Sequence, residues 1–165
     1  MKNRIYLLLL VIWCSCSDSD KGSITTGHEG DGLPAFSMLL ADSITHLNTG
    51  NITGNKPLAF FYFGPYCPYS RAQMEEIVDH MGLLKDIHFY VLTYAPYKQM
   101  QEFYNYYHLG KYTNITVGID NTKYFQQYFK LEGVPFMAVY GRDRKLKHAF
   151  IGEVQAKRIS EFIKE

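Results

Sequence analysis

One cysteine stands where chemistry can happen. Cys67 lies in the run Phe63-Gly64-Pro65-Tyr66-Cys67-Pro68-Tyr69-Ser70-Arg71. Before it comes an unbroken apolar block, residues 58–63, short and aromatic enough for a central strand covered on both faces. Gly64-Pro65 ends that block. After it, Met74, Ile77, Val78 and Met81 recur at helical spacing, which predicts a helix over residues 71–84. A cysteine at such a turn meets unpaired backbone N–H groups and the positive end of the helix macrodipole. Both favour the thiolate, the reactive form, and lower the thiol pKa. Arg71, four residues on, adds a cation if its side chain turns inward. The bland alternative is a small buried hydrophobe, which fits a strand-to-helix turn less well.

No second thiol is placed to help Cys67. The other two cysteines, Cys14 and Cys16, fall in the first segment, and the position three residues after Cys67 is Ser70. Beyond the first helix the pattern alternates. Strands are expected over residues 88–94 and 115–119, and helices over 96–109 and 122–129. Gly133-Val134-Pro135 then precedes a strand over 136–140, a turn at Gly141-Arg142-Asp143, a returning strand over 146–151 and a last helix over 154–163. Strands and helices in alternation followed by a hairpin and helix imply an α/β chain, a three-layer α/β/α sandwich around a mixed central sheet. The Met100, Phe103, Tyr104 and Tyr107 stripe reads as core. The basic hairpin tip, Arg142, Arg144, Lys145 and Lys147, reads as a solvated turn.

The order strand, aromatic turn, Cys67-Pro68-Tyr69-Ser70, helix and a distant Val134-Pro135 before a hairpin resembles the thioredoxin-like family, over residues 33–165. The lipoprotein-like start, the leading strand at Leu33-Pro34-Ala35-Phe36 and the extra helical region resemble its membrane-tethered TlpA/ResA branch. The resemblance implies a thioredoxin fold with Cys67, Ser70 and Pro135 at the catalytic centre. It implies further that Tyr66, Pro68, Tyr69 and Val134 line the substrate site, and that the partner is a protein or small-molecule thiol or disulfide, with no cofactor and no metal. In that family the peptide at the Val134–Pro135 position is cis and packs beside the thiol, leaving the preceding backbone free to pair with an extended substrate.

Two departures qualify it. Family oxidoreductases use Cys-x-x-Cys, in which the second thiol attacks the mixed disulfide formed by the first; a Ser70 hydroxyl cannot form a disulfide. Many members also carry a buried acid six residues before the first cysteine, where this chain has Phe61. The expectation is therefore exchange through one thiol, as in the similar Cys-Pro-Tyr-Ser motif of monothiol glutaredoxins, with an external thiol resolving the intermediate. The alternative is a degenerate module, an adaptor or chaperone, that binds a protein or peptide noncovalently along the Pro135 edge. A peroxidase needs P-x-x-x-T-x-x-C, and those two positions are Phe60 and Gly64.

The first segment reads as an address. Lys2 and Arg4 precede an apolar run over residues 5–13, with small residues after it, the order of a secretory signal. The run falls short of the roughly 20 residues that span a bilayer. It resembles a bacterial lipoprotein signal, and the small Ser15 before Cys16 favours Cys16 over Cys14 as the lipidated first residue. The expected organisation is a signal over residues 1–15, a lipid-anchored flexible tether over 16–34 and the folded domain over 35–165, in the cell envelope, periplasm or outer membrane. In the whole chain, 17 Lys+Arg against 16 Asp+Glu leave a charge of +1, too little to attract nucleic acid. The six histidines show no metal-ligand spacing with one another or with Cys67.

Overall fold

A computed structural model describes residues 22–162; the expected signal, with Cys14 and Cys16, lies outside them. The sheet has seven strands in the order β2-β1-β5-β4-β3-β6-β7. Its centre is β3 (Leu58–Tyr62), in which every residue is buried. A strand with no solvated face needs neighbours on both edges and cover on both sides. It pairs parallel with β4 (His88–Thr93) and antiparallel with β6 (Phe136–Tyr140), while β4 pairs parallel with β5 (Ile115–Ile119). The period of two sends alternate residues of β3 to opposite cores. Ala59, Phe61 and Phe63 join Met74, Ile77, Met100, Phe103 and Ile159 on one face. Leu58, Phe60 and Tyr62 join Phe36, Phe125, Phe136 and Tyr140 on the other.

Helices α1 (Pro68–Asp79), α2 (Met81–Leu84), α3 (Tyr97–Tyr106) and α5 (Ala156–Phe162) supply the first face, and α4 (Tyr124–Tyr128) the second. The three-layer α/β/α arrangement and the mixed sheet are as expected. The single helix expected over residues 71–84 is two. It starts earlier, because Pro68 at its first position has φ preset for a helix. It breaks at His80, whose φ of −106° and ψ of 22° leave the helical region. The Met100 and Phe103 stripe of α3 is buried as core, together with Tyr107, whereas Tyr106 is exposed.

The leading strand lies later than expected, as β1 (Ser37–Leu40), and turns back into β2 (His46–Asn48). The turn is made by Asp42, whose carboxylate accepts the N–H groups of Ile44 and Thr45, with Ser43 at φ 63°.

The tether expected over residues 16–34 is corrected from residue 22 onward. There the chain runs along the outer edge of β7 (Leu146–Ile151) as a strap. The Ile24 N–H donates to Ala149 (2.8 Å), the Gly30 N–H to Leu146 (2.9 Å), and the Leu146 N–H to Asp31 (2.9 Å). His28 stacks on Tyr128 at 4.0 Å. An edge strand's free N–H and C=O groups attract pairing, which outweighs the flexibility that the glycines suggest.

Candidate active site

The end of β3 and the start of α1 build the turn. The Phe63 N–H still bonds to the Leu92 carbonyl, so the chain leaves the sheet only at Gly64. A Cβ on Gly64 would lie 3.1 Å from Val134 Cγ2 and 3.2 Å from Cys67 Cβ; its absence lets the two loops close on each other. The Cys67 N–H then donates back to the Gly64 carbonyl at 3.0 Å. Cys67 is the N-cap of α1, with extended φ −72° and ψ 121°, and its side chain is half-buried.

The thiol meets the other predicted element directly. Cys67 Sγ lies 3.5 Å from the Val134 carbonyl oxygen, to which it donates, and the Val134–Pro135 peptide that follows is cis. Pro135 is buried and Val134 half-buried. The Pro135 carbonyl accepts from the Gly152 N–H at 3.0 Å, and the Val134 N–H makes no hydrogen bond within the described residues. Val134 therefore presents backbone beside the thiol.

Ser70 is fully buried, and its hydroxyl accepts from the Gly64 N–H at 3.2 Å. It braces the turn from inside. Pro68 and Tyr69 are exposed, as is Tyr66, whose hydroxyl donates to Glu102 at 2.6 Å. That bond, the Glu102 charge and slight burial hold the Tyr66 phenol above its usual range. Arg71 does not turn inward: its Nε donates to the Pro65 carbonyl at 2.9 Å and its guanidinium lies 5.4 Å from the centre of the Tyr106 ring. Phe61 is fully buried in the apolar core under α1, so no carboxyl stands at that position to take a proton. The structure thus brings Cys67, Ser70, Val134 and Pro135 together, with Tyr66, Pro68 and Tyr69 at the exposed rim.

Tyr62 and Tyr94 were not among the sequence candidates. With Glu132 and Val134 they line a cleft of about 70 Å³ beside the cis peptide. Tyr94 is exposed, whereas Tyr62 is 1% exposed and its hydroxyl has no hydrogen-bond partner among the described residues. Burial pushes the Tyr62 phenol up, with Asp120 and Tyr94 adding to it. The signal was Tyr94 at the end of β4, one strand over from the end that carries Cys67.

No family model matches the chain, and no curated protein matches it. Solved structures do. A secreted disulfide oxidoreductase of Mycobacterium tuberculosis, homologous to DsbE of E. coli, superposes with a TM-score of 0.65 at 16% identity, covering 78% of this chain and 94% of that one. The fold is the thioredoxin fold. StoA of Bacillus subtilis superposes with a TM-score of 0.60 at 10% identity, over 78% of this chain and 96% of its own. The peroxidoxin BcpB of Mycobacterium tuberculosis reaches 0.68 at 12% identity, over 83% and 96%. These likenesses establish the fold and not an activity, which has to be argued from the residues at the turn.

Proposed function

We propose that this protein exchanges disulfides through Cys67 alone. One observation carries the reading: a half-buried thiol at a helix N-cap lies 3.5 Å from the Val134 carbonyl, beside backbone with an unpaired N–H. The Cys67 thiolate attacks one sulfur of a disulfide R–S–S–R′. The S–S bond breaks, a Cys67 Sγ–S–R bond forms, and R′ leaves as a thiolate that takes up a proton from solvent. An external thiol R″–SH then attacks the R sulfur: the Cys67 Sγ–S bond breaks, an R–S–S–R″ bond forms, the thiol proton goes to solvent and Cys67 leaves as the thiolate. A second R″–SH attacking that bond releases R–SH and R″–S–S–R″, so two external thiols together supply the two electrons that reduce the original disulfide. Ser70 contributes no sulfur, and its engaged hydroxyl only holds the turn. An extended substrate would pair with Val134 while Tyr66, Pro68 and Tyr69 cover its flanks. At the peroxide-site positions, Phe60 and Gly64 offer no side-chain donor.

The protein acts in the cell envelope, held by a lipid on Cys16. The signal-like first segment supports this, as does the secreted neighbour. A noncovalent binding module is the second reading, favoured by the fully apolar setting of Phe61 and by the exposed Tyr66 and Tyr69 at the rim. Trapping separates the two. Without an internal resolving thiol, mixed disulfides on Cys67 persist, so acid-quenched, alkylated cells run on nonreducing gels yield adducts that Cys67→Ser removes. Absence of adducts, with partners still copurifying with Cys67→Ser, establishes the binding module instead.

A further inference from the structure

Opposite the thiol, at the ends of β3 and β4 where those strands begin, the chain forms a half-open cavity of about 320 Å³. Its lining includes Thr53, Gly54, Lys56, His88, Tyr90 and Arg144, and no aspartate or glutamate. The wall is built rather than incidental. Arg144, expected in a solvated hairpin tip, reaches across to donate from Nη1 to the Lys56 carbonyl (2.9 Å) and from Nη2 to those of Thr53 (3.0 Å) and Gly54 (2.8 Å). Arg142 Nη1 donates to the Asn55 carbonyl at 3.1 Å. Two cations thus fix the rim of the cavity.

What Arg144 lacks is a counter-charge. A guanidinium has five N–H donors; three meet carbonyl oxygens, and no carboxylate of the described residues pairs with it. Its Nε is closed to solvent and has no acceptor. The carbonyls hold the guanidinium in place without neutralising it, so an anion that enters the cavity meets a fixed positive charge. A second, separate group points the same way. Tyr90 is 7% exposed and lines the cavity, yet its hydroxyl makes no hydrogen bond within the described residues. His88, its ring tilted against that of Tyr90 with centres 4.7 Å apart, has one ring nitrogen on the Thr116 hydroxyl at 2.8 Å. Burial, then the charges of Lys56 and Arg144, hold its imidazole below the usual range.

We propose that this cavity binds an oxyanion, the carboxylate or phosphate group of a small molecule, between Arg144, Lys56 and the Tyr90 hydroxyl. The anion neutralises Arg144 and accepts the Tyr90 proton donor, both of which the protein leaves unanswered. The site lies apart from Cys67 and does not depend on its chemistry.

The test is a titration of the full chain with inorganic phosphate, and separately with acetate, at ionic strength held constant with chloride, followed by amide NMR. Saturable shifts are expected at residues 53–56, 88 and 90, with the His88 ring pKa rising at saturation. The stronger of the two ions tells phosphate from carboxylate. Tyr90→Phe and Lys56→Gln, one conservative and one at an exposed position, are each expected to weaken the binding about fivefold or more. No saturable shift at these residues with either ion overturns the proposal. So does saturable binding that neither variant weakens, because the ion is then held elsewhere.

Discussion

Ser70 is more than a missing thiol. Its buried hydroxyl accepts the Gly64 N–H at 3.2 Å, so the side chain that cannot resolve a mixed disulfide also holds the turn on which Cys67 sits. Ser70→Cys is therefore expected to act in two directions. It supplies a second sulfur three residues on, at the position that attacks in Cys-x-x-Cys proteins, and confers dithiol-driven turnover on a protein disulfide that the wild type lacks. It also exchanges a good acceptor for a weak one, and costs about 1 kcal/mol in denaturant unfolding. Equal turnover by wild type and variant would show that the single-thiol mechanism is wrong. The sequence made Cys67, Ser70 and Pro135 legible because a turn, a spacing and a Val-Pro pair are local signals. It did not reveal what Arg71 does, since a side chain four residues along a helix can fold either way. The Pro65 carbonyl settled that contest.

At the scale of elements, the same distinction recurs. The central strand over residues 58–62 was readable because five buried apolar residues leave no other solution. The β1–β2 hairpin was not, because its second strand has three residues and its turn rests on one carboxylate, that of Asp42. The strap was misread for a further reason. Glycine-rich composition reports the freedom of a chain in isolation, whereas an unpaired β7 edge offers it three backbone hydrogen bonds. Removing residues 22–32 deletes those bonds and the His28–Tyr128 stack. Against them stands the entropy of ordering the strap, so the net loss should be about 2 kcal/mol, a fall in Tm of roughly 5 °C. The bared β7 edge should also self-associate. Calorimetry and sedimentation measure both, and an unchanged Tm with a monomeric truncated chain would mean that the strap merely rests on the edge.

For the whole molecule, the two sites sit at opposite ends of one sheet. Cys67 follows the end of β3, and the oxyanion cavity lies where β3 and β4 begin. The first was legible from motifs. The second joins residues 56, 90 and 144, distant in sequence, and emerges only once hairpin and loop are folded together. The docked strap also changes what an anchor at Cys16 would do. With the chain attached to β7 from the Ser23–Phe150 bridge onward, the segment from Cys16 to Gly22 reaches at most about 25 Å even if fully extended. A lipid there would keep the domain close to the headgroups, with the β7 edge nearest the membrane, rather than let it range on a long tether. The intact mass of membrane-purified protein checks the premise: it should equal that of a chain beginning at a diacylated or triacylated Cys16. A mature chain that starts at any other residue, or at Cys16 without acyl groups, removes the anchor and leaves plain secretion.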